Sequence, residues 1–404
     1  VKFIADRLES FVSDIHAREH QIFARMAFRK DGEILAMEID DLAGVGAYSA
    51  YPRTSVFEAN QVLNITGGPY KFENYRASTK VVYLNKVPTS QYRAVGHPIG
   101  ISVGEHMVDR AAEQTGLDPL EIRRLNVMQD DAYPALAPSG VPVNDLSHEA
   151  CIDKLVELMD YDGLRSEQAE LREQGIYRGI GIAGFIKGTA PGPQGYYGAG
   201  GAPIASQDAC TIKLEPSGGV ICTVGVTDQG QGVDTVMGQI AATALGVSME
   251  AVRVISGDTD AVPYGGGTYA SRATAIGGEA VYQASRALRT EILEMASILL
   301  QTEVTKLDIV DANVVDANTG QARIPLSEIG RIGHFQLGEL PDDYQPILSA
   351  THRYRLTELP YIFTNGVHGA YLEVDPETGF IRLLKHWVVE DCGRIINPNL
   401  ADEQ

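Results

Sequence analysis

A chain of 404 residues with 44% hydrophobic content has the length for two or three globular domains, and no apolar run in it approaches the roughly 20 residues of a membrane span. Its net charge of −20 excludes nucleic acid or an anionic membrane surface as a partner, since both require a basic face. Four cysteines, at 151, 210, 222 and 392, form no CxxC, fit neither a zinc nor an iron–sulfur ligand set, and read as buried reduced thiols.

The chain opens on a strand-like VKFIADR without an initiator methionine and ends at Gln404 with no closing helix. It reads as an internal piece of a longer chain, with any targeting signal outside it. Residues 21 to 29 and 34 to 41 are paired strands around a hairpin-type turn at Lys30-Asp31-Gly32. His16 and His20 are four apart, which would suit a metal on a helix, but strand-like sequence follows and no third ligand is in view. Residues 51 to 70 are irregular, and 76 to 85 form a further strand. The loop QYRAVGHPIG, 91 to 100, precedes a helix from Ile101 to Thr115 with Val103, Met107, Val108 and Ala111 as its apolar face and Gly116 as its stop. Arg93 is the one cation near this loop, either a solvated charge or a guanidinium that forks onto an anionic ligand. Asp118 starts a short helix carrying Ile122 and Leu125, and a charged helix spans 149 to 174. The proline-rich, polar stretch between them places the boundaries: a first domain over 1–145, a connecting helical segment over 146–178 and a second domain over 179–404. A strand over 179 to 187 leads into a glycine- and proline-rich loop, 188 to 207, long enough to be functional and a place where substrate choice would be made.

Residues 209 to 226 then read as one strand, which stops at TDQGQGVDT, 227 to 235. Val236, Ile240, Ala244 and Leu245 follow at helical spacing until Gly246. Glycines at such a junction let the backbone approach a ligand, and the first amides of the helix point at whatever lies in front of them, with anions favoured. Gln231, between Gly230 and Gly232, is placed to offer its amide to a polar ring. GGGTYASRAT, 265 to 274, repeats the arrangement ahead of a helix with Ala280, Ala284, Leu288, Ile292 and Met295 on one face. Thr268, Ser271 and Thr274 offer hydroxyls, while Gly267 and Ala270 leave backbone N–H groups open. One glycine-rich turn is most often only a connection, so the recurrence carries the ligand reading. A strand pair follows the helix that ends near Gln301, then strands over 352–356, 367–374 and 381–389, the last two joined by a turn at 375–379. The fold class is α+β: two mixed α/β domains with binding loops at strand-to-helix junctions and a ligand in the cleft between them. A phosphate- or nucleotide-binding enzyme is the weaker alternative, since the chain has no GxxxxGK[ST].

Seven segments in order, RLESFVSDIHAREHQ, DGEILAMEIDDLAGVGAY, QYRAVGHP, DPLEIRRLN, GQGVDT, TYASRAT and VVEDCGRIINP, make the chain resemble the molybdopterin-binding large subunit of the xanthine oxidase family of molybdenum hydroxylases. That family includes aldehyde oxidoreductases, aerobic carbon monoxide dehydrogenases and N-heterocycle dehydrogenases. The resemblance implies that three loops line a molybdenum-bearing pterin, commonly its cytosine dinucleotide, whose own sulfurs hold the metal so that no protein ligand is expected. It implies cofactor contacts at Tyr92, Arg93 and Ala94, at Gly230, Gln231 and Gly232, and at Thr268, Tyr269, Ala270, Ser271, Arg272 and Thr274. Ala273 departs from the serine often found there. Ala94 stands where copper-dependent carbon monoxide dehydrogenases carry a cysteine, which points instead to an aldehyde or aromatic N-heterocycle as substrate, with water as oxygen source. The family's catalytic glutamate is expected beyond Gln404, so the 404-residue piece alone is expected to be inactive. The resemblance further implies a cytoplasmic hetero-oligomer with a 2Fe-2S subunit or domain and an FAD-binding subunit or domain. A non-catalytic scaffold homologue is the other alternative.

Overall fold

The computed structural model describes residues 4–50, 54–190, 206–262, 264–357 and 362–402. In chain order the elements are α1 (Arg7–Ser13), β1 (His20–Phe28), β2 (Ile34–Gly44), α2 (Val56–Ile65), β3 (Asn74–Val82), α3 (His97–Thr115), α4 (Pro119–Asn126), the short β4 (Ala135–Leu136) and β5 (Pro142–Val143), α5 (His148–Met159), α6 (Tyr161–Glu173) and β6 (Tyr177–Thr189). There follow β7 (Gln207–Leu214), β8 (Val220–Val224), α7 (Val233–Leu245), β9 (Val252–Ser256), α8 (Glu279–Leu300), β10 (Leu307–Val310), β11 (Asn313–Asp316), β12 (Ala322–Pro325), α9 (Leu326–Phe335), β13 (Ser349–Arg355), β14 (Ile362–Val374), β15 (Ile381–Asp391) and α10 (Pro398–Asp402). The chain forms two compact units, one of 1–189, 194–204 and 360–393, the other of 190–193, 205–359 and 394–404. This grouping cuts across the linear boundaries at 145 and 178, because β14, late in the chain, pairs along its whole length with β6.

The first unit holds the sheet β1-β2-β3, antiparallel then parallel, and the antiparallel sheet β15-β14-β6. Alternation in β2 turns Met37 and Ile39 inward, where Val62 of α2 and the half-buried Val103 and Met107 of α3 meet them. On the second sheet Ile182 and Val367 face Ile152, Leu155 and Met159 of α5. A buried arginine joins α3 to α4: Arg123 Nε donates to Glu105 Oε2 at 2.9 Å and Nη2 to Asp109 at 2.7 Å, while Tyr70 donates to Glu105 Oε1 at 2.6 Å.

Several expectations change here. The segment beginning VKFIADR carries a helix from Arg7, whose Asp6 and Glu9 form a reciprocal capping box. The irregular stretch 51–70 contains α2, whose buried Ala59, Val62 and Ile65 recur every third residue. α3 begins at His97, four residues early, with Pro98 in its first turn, where a missing N–H costs nothing, and it stops at the left-handed Gly116 as expected. Leu125 is exposed, since α4 buries Leu120, Ile122, Arg123 and Asn126 instead. The helix expected over 149–174 is two helices, broken where Asp160 turns left-handed at φ 49°. Cys392 is exposed, whereas Cys151, Cys210 and Cys222 are buried free thiols.

The second unit is built on the sheet β13-β7-β8-β9, with α7 and α8 packed over it. The strand expected over 209–226 is a hairpin: Gly218, at φ 87°, turns the chain, Glu215 N–H donates to Gly219 O at 2.8 Å, and β7 and β8 pair antiparallel. Ile212, Leu214 and Val224 meet Met237 and Leu245 of α7 and Ala280, Ala284, Leu288, Ile292 and Met295 of α8, so the predicted α8 face is the buried one. A small three-stranded sheet, β10-β11-β12, replaces the expected strand pair. No described helix is long and apolar enough to cross a membrane.

Candidate functional site

Both glycine-rich loops of the second unit leave its sheet and helices at one place. Gly225 follows β8, and a Cβ there would overlap the carbonyl oxygen of Tyr264 and come within 2.5 Å of Asp208 Oδ1, so only glycine lets the loops cross. Thr268 fastens one loop to the other: its Oγ accepts the Thr227 N–H at 2.8 Å and donates to Thr227 O at 2.6 Å. Gln229 Nε2 donates to Thr268 O at 3.2 Å. Gln231 does not project its amide as expected. Its Nε2 donates to Thr227 O at 3.3 Å and its Oε1 accepts the Gln229 N–H at 2.5 Å, which folds the side chain onto its own loop. Gly232 is the left-handed N-cap of α7, φ 77°, with no side chain capping the helix amides.

Arg272 also departs from the expectation of a ligand contact. Its side chain and that of Asp208 are fully buried, and Nη2 donates to Asp208 Oδ2 at 2.9 Å. The same guanidinium donates to Gly267 O at 2.5 Å and to Gln207 O, and lies 5.0 Å from the Tyr269 ring centroid. Asp208 Oδ1 takes the N–H groups of Ala209 (2.8 Å) and Gly225 (3.0 Å). Burial pushes the Asp208 carboxyl up, and Arg272 with these N–H donors pulls it back. Arg272 is thus an internal strut beneath a loop in which Ala270 (φ 51°) and Ser271 (φ 53°) occupy the left-handed region that side chains avoid. Such strain is stored where a site needs a fixed backbone. Ala270, Ser271 and Thr274 are exposed beside it, and Ala273 faces the core.

The loop 91–96 belongs to the first unit. Tyr92 and Arg93 are exposed, and Ala94 is left-handed at φ 62°. A Cβ on Gly96 would lie 2.6 Å from Glu58 O, so the loop sits directly on α2. His97 anchors it: Nδ1 faces Val95 O at 2.9 Å and Nε2 accepts the Gly188 N–H at 3.1 Å, which ties the loop to β6. Burial lowers His97 to about 4, so the ring is neutral. Arg93 is not the only cation here, because Arg18 donates to the carbonyl oxygens of Tyr92, at 2.9 Å, and Arg93. Sequence reasoning missed Arg18, Glu58 and His97. The first two come from distant segments without motif spacing, whereas His97 directly follows the glycine that ends the loop. His20 is paired with Asp41 at 2.9 Å, and no group of three metal-binding side chains exists among the described residues.

The residues present fit a cofactor that brings its own metal. Among the described residues nothing lies within 4 Å of where a Cβ would stand on Gly230 (φ 94°) or Gly267 (φ 75°), which leaves the backbone of both interlocked loops open to a ligand. The side-chain amides of Gln229 and Gln231 are bonded within the loops, the hydroxyls of Ser271 and Thr274 are exposed, and the only guanidinium of these two loops is buried. A cleft of about 660 Å³ lined by Arg25, Met37, Glu38, Tyr75 and Arg76 lies on the first sheet and contains no residue of the three loops. Of the loop expected over 188–207, residues 191–205 lie outside those described.

Comparison with known proteins shows the family. Two family profiles, both for a molybdopterin cofactor-binding domain, match residues 1–127 and 154–404. The chain is 31% identical over 405 residues to the nicotine 6-hydroxylase large subunit of Paenarthrobacter nicotinovorans, covering 100% of this chain and 49% of that one. It is 30% identical to the carbon monoxide dehydrogenase large chain of Hydrogenophaga pseudoflava, again over 100% of this chain and 50% of the other. Among solved structures, quinoline 2-oxidoreductase from Pseudomonas putida 86 superposes with a TM-score of 0.91 at 32% identity, over 99% of this chain and 50% of that one. The chain spans about half the length of the curated relatives it matches. It belongs to the molybdopterin cofactor-binding domains of the xanthine oxidase family.

Proposed function

We propose that the loops 227–232 and 265–274, with the loop 91–96, cradle a molybdenum-bearing pterin in its cytosine dinucleotide form. The observation that carries this is the open backbone at Gly230 and Gly267 on two loops locked together through Thr268. Backbone N–H groups at the start of α7 and the exposed hydroxyls of Ser271 and Thr274 supply uncharged donors for an anionic, polar ligand. Tyr269 and Ala270 line the same loop, and Arg272 acts through its carbonyl and carboxylate bonds to keep that loop in shape. When bound, the cofactor supplies a redox-active metal centre for hydroxylation with water-derived oxygen.

The activity that follows is oxidation of an aldehyde or aromatic N-heterocycle. Ala94 offers no sulfur to a copper ion, which argues against carbon monoxide as substrate. Relatives carry names such as large subunit, large chain and complex subunit gamma, and the reading extends to a hetero-oligomer here, with 2Fe-2S and FAD partners that carry electrons away. The test is to purify the protein with its co-purifying partners and assay molybdenum, pterin and cytosine nucleotide, then dye-linked oxidation of aldehydes and N-heterocycles. Stoichiometric molybdenum with turnover of one of these classes supports the reading. A protein without pterin, or turnover of carbon monoxide alone, contradicts it.

A further inference from the structure

The loop 91–96 rests on four charged side chains drawn from separate elements. Arg18, in the segment entering β1, donates to the carbonyl oxygens of Tyr92 and Arg93. Its Nε lies 3.3 Å from Glu58 Oε1, a charge pairing without hydrogen-bond alignment. The same Glu58 oxygen accepts the Gly96 N–H at 3.3 Å. Glu58 Oε2 is 3.8 Å from His20 Nε2, and His20 Nδ1 is 2.9 Å from Asp41 Oδ1. Thr79 Oγ donates to the other Asp41 oxygen at 2.9 Å. Negative and positive groups therefore alternate from Asp41 on β2, through His20 on β1 and Glu58 on α2, to Arg18 and the loop.

Burial makes this chain of charges obligatory. The side chains of Asp41 and Glu58 are 0% and 5% exposed, and a carboxylate so enclosed requires a cation beside it. The α3 residues that share a cleft of about 390 Å³ with Arg18 and His20 are Pro98, Ile99, Ser102 and Val103, none of them charged. Burial works against a charge on His20, but its bonds to Asp41 and Glu58 and their charges raise it to about 9, so it is a cation at neutral pH. The guanidinium has a geometric reason as well: Nη2 meets both carbonyls while Nε lies against the Glu58 carboxylate, a spread of charge wider than the single point of an ammonium.

We propose that Arg18 is a positioning residue for the cofactor-facing loop: braced by Glu58, and through it by His20 and Asp41, it fixes the carbonyls of Tyr92 and Arg93 and with them the backbone that presents Arg93 and Ala94. This rests on the reading that the loop faces the cofactor. The test is amide hydrogen exchange of residues 92 to 97 in the full chain, with molybdenum content measured on the same preparations. Arg18→Met raises exchange of these amides by about tenfold or more while β1 to β3 stay protected, and Glu58→Gln does so by a smaller factor. Glu58→Gln also lowers the His20 titration, followed by NMR, towards the ordinary imidazole range. Arg18→Lys fails to restore protection. Unchanged loop exchange in both Arg18→Met and Glu58→Gln, or full protection in Arg18→Lys, overturns the proposal. A loosened loop with undiminished molybdenum keeps the brace and removes this loop from the cradle. If Arg18→Met does not fold, Arg18→Lys and Glu58→Gln carry the test.

Discussion

At the residue scale the informative positions are the buried ionisable groups. Arg272 and Asp208 neutralise each other out of water, and removal of one partner leaves the other buried and unpaired. Arg272→Met or Asp208→Asn therefore costs about 3–5 kcal/mol, read as a lower urea midpoint with unchanged slope. The histidines set a pH profile. His97 and His148, both lowered to about 4 chiefly by burial, contribute stability that is full above the unfolded value near 6.5 and is lost as pH falls through 4. For His97 alone the shift corresponds to about 3 kcal/mol. His20, raised to about 9, does the opposite: its contribution is full below 6.5 and is lost as pH rises through 9. Urea midpoints are thus expected to peak near pH 6.5, and His97→Gln is expected to flatten the acid limb. An acid limb unchanged in His97→Gln contradicts the buried neutral ring. Sequence alone named Gln231 and Arg272 as site residues, and both are in the loops, but spacing holds no information on where a long side chain turns. Gln231 bonds its own loop and Arg272 points inward.

At the element scale, glycine stops and hydrophobic periodicity were readable because each acts locally. Gly116 and Gly246 end α3 and α7 in left-handed conformation, and the five apolar positions of α8 are all buried. What was not readable depended on partners. α2 is diluted by Asn60, Gln61 and Asn64, so its period stands out only once Val62 meets Met37 and Ile39. The β7–β8 hairpin was hidden because apolar residues continue on both sides of Gly218. Glycine substitutions separate geometry from ligand space. Gly225→Ala forces a Cβ into the Tyr264 carbonyl and is expected to cost several kcal/mol, whereas Gly230→Ala meets open space and costs only the positive-φ term, about 1 kcal/mol. Thermal melts of the two variants decide this. Equal losses would mean that the loops do not cross at Gly225 as described.

At the scale of the whole molecule, the proposed site of this acidic chain offers a polar, anionic ligand backbone amides and hydroxyls, and the one arginine of the loops 227–232 and 265–274 is spent on internal support. The family was legible in the sequence because short motifs at strand-to-helix junctions keep their order. The two-unit grouping was not, because β14 returns from the far end of the chain to pair with β6. The open space over Gly230 and Gly267 is proposed as the place where the cofactor meets the backbone. The most direct measurement is the molybdenum and pterin content of the purified protein beside Gly230→Leu and Gly267→Leu variants of matched melting temperature. The parent protein is expected to carry both, and the variants to lose them while remaining folded. Undiminished molybdenum and pterin in folded Gly230→Leu and Gly267→Leu would contradict this.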